Sequence, residues 1–147
     1  LYNRKILNEA LSNKIDAMLK KNIPVTLVSI DSDGLKRIND TLGHDMGDKV
    51  IQSLGQAIEQ SLRKSDYGIR PGGDEFLLIL IDTDYAKSLE IIARIKENLR
   101  HTDKDPRVSF SHGNYPLKPG DSLESAIKKS DKLLYVHKRN KYGEAAQ

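Results

Sequence analysis

The sequence contains no cysteine and no tryptophan. Without thiols, disulfide scaffolds, thiolate zinc centres and cysteine nucleophiles are excluded. The lack of cysteine fits a reducing cytoplasm, where the domain is expected, although secreted chains without cysteine also exist. Aromatic residues make up only 5%, too few for the stacking platforms that hold single-stranded nucleic acid. A large charge of one sign is missing too. The 24 Lys and Arg face 21 Asp and Glu, for a net +3, with the signs interspersed. A dedicated nucleic-acid binder shows a stronger basic stripe. No nucleic-acid partner is therefore expected, whereas a small phosphate-rich ligand suits the balance. No apolar run approaches the ~20 residues of a membrane span. Leu1-Tyr2-Asn3-Arg4-Lys5 does not form a signal peptide, and no internal repeat, low-complexity tract or linker breaks the chain.

The 147 residues can bury a core without disulfides or a structural metal, and they fit a single domain spanning 1–147. Ile6, Leu7, Ala10, Leu11, Ile15, Met18 and Leu19 recur at helical spacing over 4–21, and Pro24 forbids continuation. Val25–Ile30 is short, apolar and β-branched, as a buried strand is, and ends at Asp31. Residues 35–42 predict a short helix broken at Gly43. Val50, Ile51, Leu54, Ala57, Ile58 and Leu62 line one face of the longer helix that follows. Tyr67–Arg70 and Phe76–Ile81 read as strands around the turn-rich Pro71-Gly72-Gly73-Asp74-Glu75. A helix over 85–99, a strand over Arg107–Gly113 and a loop through Pro116, Pro119 and Gly120 come next. A last helix is capped at Ser122, with Ser125 where a full capping box has Glu. After the first helix the order is βαββαβ, a ferredoxin-like α+β arrangement with a mostly antiparallel sheet flanked by helices. Such a fold alone carries no function.

Two acidic clusters stand at strand ends, Asp31-Ser32-Asp33 and Asp74-Glu75. Taken singly, Asp31 is a strand-end Asx turn and Asp74-Glu75 a solvated turn beside glycines. Central strands can bring both tips together, and carboxylates converging there, with Lys36 nearby, favour a hard-cation and phosphate site. Mg²⁺ accepts one or two carboxylates plus phosphate oxygens. Gly72 and Gly73 can adopt positive φ and let a phosphate approach the backbone.

Arg70-Pro71-Gly72-Gly73-Asp74-Glu75-Phe76 resembles the signature of the GGDEF domains, the diguanylate cyclase family. It lies at the family's spacing after Asp31-Ser32-Asp33-Gly34-Leu35-Lys36-Arg37-Ile38-Asn39-Asp40 and Gly43-His44-Asp45-Met46-Gly47-Asp48, which resemble two further blocks. Leu1-Tyr2-Asn3-Arg4 is similar to the end of the opening block, and Ser130–Tyr135 with Lys138 resembles the closing helix. The resemblance implies that two GTP are condensed to cyclic di-GMP and two pyrophosphates, with Mg²⁺ (or Mn²⁺) held by Asp31, the Ser32 carbonyl and Asp74. It makes Asp74 also the base for the 3′-hydroxyl. Lys36 would stabilise the transferring phosphoryl, and Glu75 would support the metal site. Asn39 and Asp48 would read guanine with His44 beside them, and Lys138 would reach the terminal phosphates. Catalysis would take a homodimer, since one domain holds half a site. The chain opens inside the family's first block, which implies truncation at its N-terminal edge. The full-length protein would then carry a sensory or regulatory region ahead, with a membrane anchor there a further option. Arg63-Lys64-Ser65-Asp66 lies where the family has an inhibitory Arg-x-x-Asp site for the product. Its plain alternative is a charged helix end.

Some positions depart from the family. Leu35 stands where an aromatic is usual, and Pro71 stiffens the approach to the turn. In Lys138-Arg139-Asn140-Lys141-Tyr142-Gly143, Tyr142 replaces a phosphate-binding arginine for which Arg139 or Lys141 could substitute, although their helix faces differ. His112 and His137 read as packed imidazoles, since no second His sits at metal spacing. Two other functions remain open. One is a degenerate domain that binds GTP or cyclic di-GMP and regulates a neighbour, and the other is a cyclase with a monocyclic product.

Overall fold

The structure, a computed structural model, describes residues 1–103 and 108–142. A 3₁₀ turn at Arg4–Ile6 precedes α1 (Glu9–Lys20). Then follow β1 (Val25–Ser32), α2 (Leu35–Leu42), α3 (His44–Ser61), β2 (Tyr67–Gly72), β3 (Glu75–Ile81), α4 (Tyr85–Thr102), β4 (Phe110–Pro116) and α5 (Leu123–Tyr142). The sheet order is β2-β3-β1-β4 with every neighbouring pair antiparallel, the expected ferredoxin-like α+β arrangement.

Side chains alternate across a strand, and both faces of this sheet are covered. Val28, Ile30, Phe76, Leu78, Leu80 and Phe110 pack with α3 and α4 through Leu54, Ile58, Ile92 and Ile95. Val25, Leu27, Ile69, Leu77 and Ile79 pack on the opposite side with Leu11, Ile15 and Leu19 of α1 and Leu123 and Ala126 of α5. Central strands buried on both faces explain why β1 and β3 read as apolar runs rather than alternating ones. The same alternation puts Ser29 and Asp31 on the α5 side of β1, so that face turns from apolar to polar toward one end. That end carries the acidic clusters.

The largest differences from expectation lie at the first helix and the last strand. The first helix begins at Glu9, not residue 4, because the Asn8 side chain accepts from the Leu11 N–H (3.0 Å) and caps it there. The last strand runs Phe110–Pro116 rather than 107–113. Pro116 belongs to it because β4 is an edge strand and Pro116 is its last residue, where a missing donor costs least. Arg107, taken as the start of that strand, lies outside the described residues. The last helix starts as expected, with Ser122 Oγ accepting from Ser125 N–H (3.0 Å).

Candidate active site

Register assembles the site. Asp31 sits opposite Glu75 on β3 and opposite Ser111 on β4. Asp74, one residue further along the β2–β3 turn, therefore stands at the same end of the sheet. The Asp31 carboxyl is raised above the usual carboxylate range, chiefly by burial. Lys138 opposes the rise, while the charge and contact of Asp74 add to it. Lys138, from α5, donates to Asp31 Oδ2 at 2.6 Å. The other oxygen, Asp31 Oδ1, is buried and accepts from nothing, and Ser32 Oγ shares that state. A carboxylate oxygen without a donor, next to a second carboxylate, is an arrangement that a cation relieves.

Among the described residues no group of three or more His, Cys, Asp or Glu side chains converges. A cation between Asp31 and Asp74 would thus have two carboxylates and would complete its shell with backbone, water or phosphate oxygens. That set suits Mg²⁺, or Mn²⁺ in its place, and not a tight calcium cage. Glu75 is exposed, beside the pair rather than within it.

The turn itself is braced by a residue to which the sequence assigned no role. Arg70 donates from Nε and Nη2 to the Gly73 carbonyl (3.0 and 2.6 Å) and lies over the Phe76 ring. Gly73 has positive φ (+20°), but Gly72 does not. Gly72 remains in β2 paired with Glu75, beyond an irregularity in the ladder after Ile69. Of the two glycines that can adopt positive φ, only Gly73 does so. The space above each is open, since an added Cβ meets nothing within 4 Å.

A second group gathers where α2 meets α3. The two helices are separated by Gly43 alone, whose φ of 91° and ψ of 162° suit only glycine. This sharp corner folds Asn39 of α2 against Gly47 of α3, so closely that a Cβ on Gly47 would fall 1.8 Å from Asn39 Oδ1. Asp48 is the next residue. His44 lies one turn before Asp48 on the same helix face, and both are exposed. Lys36 is exposed on the first turn of α2 and makes no ion pair among the described residues.

Arg63 and Asp66 form a closed clasp. The Asp66 carboxylate, fully buried, accepts from Arg63 N (2.9 Å), from Arg63 Nε and Nη2 (each 3.2 Å) and from Ile81 N (3.1 Å). Arg63 Nη2 also donates to Ile81 O and Thr83 Oγ1. The motif ties the α3–β2 loop to the end of β3, a structural task that its plain reading as a charged helix end understated.

His112 and His137 pack ring against ring with centroids 4.5 Å apart. His112 N–H donates to His137 Nδ1 (3.0 Å), and His112 Nδ1 lies 2.7 Å from Asn114 Oδ1. Burial first, then the neighbouring cationic groups, pushes His112 down to about 4, against the Asn114 bond. They are packed imidazoles, as read. The helix that carries His137 lies unusually close to the sheet. A Cβ on Gly113 of β4 would come within 2.2 Å of Leu134 N and 2.3 Å of Ser130 O. An isolated glycine within a strand was the available signal for this close approach. The side chain of Tyr142, and Gly143 with it, lie outside the described residues.

Comparison with known proteins agrees with this fold. The family described as "Diguanylate cyclase, GGDEF domain" matches residues 1–144. The chain is 47% identical over 141 residues to the Escherichia coli K12 protein named "Probable diguanylate cyclase DgcJ", covering 96% of this chain and 28% of that protein. Its backbone matches the GGDEF domain of DgcB from Caulobacter crescentus, solved in complex with c-di-GMP. There the TM-score is 0.83 at 26% identity, over 95% of this chain and 86% of that one. It also matches an active GGEEF domain of a diguanylate cyclase from Vibrio cholerae, with a TM-score of 0.83 at 27% identity, over 95% and 92%. The chain belongs to the GGDEF, or diguanylate cyclase, family. It spans about a third or less of the length of curated diguanylate cyclase relatives. Among the described residues no helix is long and apolar enough to cross a membrane.

Proposed function

We propose that this domain condenses two GTP into cyclic di-GMP and two pyrophosphates, with the two half-sites supplied by two copies of the chain. The observation that carries the proposal is the convergence of Asp31, Asp74 and Lys138, with Asp31 Oδ1 buried and without a donor. Magnesium bound by Asp31, Asp74 and the Ser32 carbonyl would supply charge neutralisation at the phosphates. In each half-reaction a 3′-oxygen bonds to the α-phosphorus of the other nucleotide. The bond from that phosphorus to the β-phosphate oxygen breaks, and pyrophosphate leaves. The hydroxyl proton goes to a carboxylate oxygen of Asp74, a role that its nearness to Asp31 supports. Lys36, exposed on α2, offsets charge on the transferring group. With Asp31 holding the metal, Lys138 would be free to reach the terminal phosphates.

Asp48 accepts from guanine N1 and N2 donors and Asn39 donates to a guanine acceptor, with His44 beside them. Gly73 and Gly72 leave the turn open to phosphate, and Glu75 supports the metal carboxylates. Arg63 and Asp66 serve product inhibition only if the clasp opens or presents the exposed side of the guanidinium. A regulatory region ahead of the chain and a cytoplasmic setting fit the same reading.

The test is incubation with GTP and Mg²⁺ at high protein concentration, with nucleotides resolved by mass. Cyclic di-GMP that disappears in Asp74→Ala supports the proposal. GTP binding without product, even with dimerisation enforced, refutes it and leaves a nucleotide-binding regulator.

A further inference from the structure

We infer that Asp33 and Lys141 are a positioning pair, which holds the last turns of α5 so that Lys138 keeps its place over Asp31. The inference rests on the GTP reading above and goes beyond it, because neither residue is asked to touch nucleotide or metal.

The two halves of α5 are held differently. Its N-terminal half is anchored by buried Leu123, Ala126 and Ser130. From residue 131 to 141 no residue is buried, and Leu133, Tyr135 and Val136 are well exposed. Beyond the close approach of Leu134 to Gly113 and the contact of His137 with His112, packing does little to fix the stretch that carries Lys138. Polar contacts take over. Ser29 Oγ donates to Asp131 Oδ1 (2.6 Å), Lys138 reaches Asp31 and Lys141 reaches Asp33, each at 2.6 Å. The periods match: Ser29, Asp31 and Asp33 alternate along one side of β1 and its continuation, and Lys138 and Lys141 are one helical turn apart.

The two ion pairs differ in what they leave over. Asp31 has an oxygen without a donor. Asp33 has none to spare, since Ser111 Oγ donates to Oδ1 (2.6 Å) and Ser109 Oγ and Lys141 Nζ donate to Oδ2 (2.8 and 2.6 Å). Its side chain is only 3% exposed. Lys141 Nζ also donates to the Phe110 carbonyl (3.2 Å). An ammonium held by a buried carboxylate and a carbonyl is committed to the scaffold, and so does not replace the family's phosphate-binding arginine. Asp31–Lys138 is the pair that can exchange partners, and Asp33–Lys141 is the pair that stays closed while it does.

The experiment compares the parent with Lys141→Met, Lys141→Arg, Lys138→Met and the double variant Lys138→Met/Lys141→Met, each first checked by thermal melting. GTP binding with Mg²⁺ is titrated, and the signal of ¹³C-methylated Lys138 is recorded without nucleotide. We expect Lys141→Met to weaken GTP binding about tenfold, the scale of one charge-assisted hydrogen bond. Lys141→Arg should restore it, and the double variant should bind like Lys138→Met alone, because coupled residues are not additive. The Lys138 signal should move to that of an exposed lysine in Lys141→Met. Unchanged GTP binding in Lys141→Met, an additive loss in the double variant, or an unmoved Lys138 signal would each overturn the inference. If the parent itself binds no GTP, the nucleotide reading fails, and the Lys138 signal still decides the positioning role.

Discussion

Gly113→Ala is the sharpest perturbation of the scaffold. Its Cβ would lie 2.2 Å from Leu134 N, 2.3 Å from Ser130 O and 2.8 Å from Leu133 C, all atoms of the α5 backbone. Ordinary contact begins at 3.4 Å, so the helix must retreat by about 1 Å (3.4 − 2.2). No rotamer change relieves a clash with backbone. Overpacking of this kind costs about 1–3 kcal/mol. The retreat also loosens the bonds of Ser29 to Asp131 and Ser130, worth about 1 kcal/mol each. The expected loss is therefore about 2–4 kcal/mol, or about 5–15 °C in Tm for a domain of this size. Lys138 moves with the helix, so GTP turnover should fall further than stability alone explains when measured well below the Tm. Urea unfolding and initial rates at 20–25 °C read both effects. A Gly113→Ala protein as stable as the parent, within about 0.5 kcal/mol, would refute the close approach of α5.

Gly47→Ala tests the α2–α3 corner in the opposite sense. The clash at 1.8 Å is with the tip of Asn39, which can swing away, and alanine favours a helix interior by about 1 kcal/mol. Stability should hold or rise while preference for GTP over ATP falls in competition binding. Arg63→Met should cost about 1–3 kcal/mol in unfolding experiments, because Asp66 loses its guanidinium donors and keeps only the backbone N–H groups of residues 63 and 81. A neutral result would mean the clasp is not closed in solution. His112 gives a pH signature. Its folded value is depressed to about 4 from the ordinary 6.5, so the unfolded chain binds more protons between these values. Stability is full above about pH 6.5 and falls by about 3 kcal/mol as pH drops toward 4. In His112→Phe that part of the slope should vanish from pH-dependent melts.

The fold was legible because the period of apolar residues is unambiguous in α3 and α4, and because β1 and β3 are short apolar runs, β1 rich in β-branched residues. The misplaced β4 is instructive. Its stretch Phe110–Pro116 holds Ser111, His112, Gly113 and Asn114, polar or small residues whose partners lie on α5, α4 and Asp33, so neither alternation nor an apolar run marks it. At the site, Asp31 and Asp74 were legible from strand ends alone. What sequence could not supply was division of labour within one cluster. Asp31 and Asp33 look equivalent in Asp31-Ser32-Asp33, yet only register and the donors around each tell the free oxygen of one from the saturated carboxylate of the other. The Arg63–Asp66 clasp was hidden for a similar reason, because its partners Ile81 and Thr83 are distant in sequence.

The central claim is that Asp31 and Asp74 together form one cation site facing Lys138. Electron paramagnetic resonance of Mn²⁺, titrated into the folded protein with GTP, tests it most directly against Asp31→Asn and Asp74→Asn. The account predicts a protein-bound Mn²⁺ signal in the parent that weakens about tenfold or more in each variant, since each removes one charged ligand. A bound signal that survives loss of either carboxylate undiminished would contradict it.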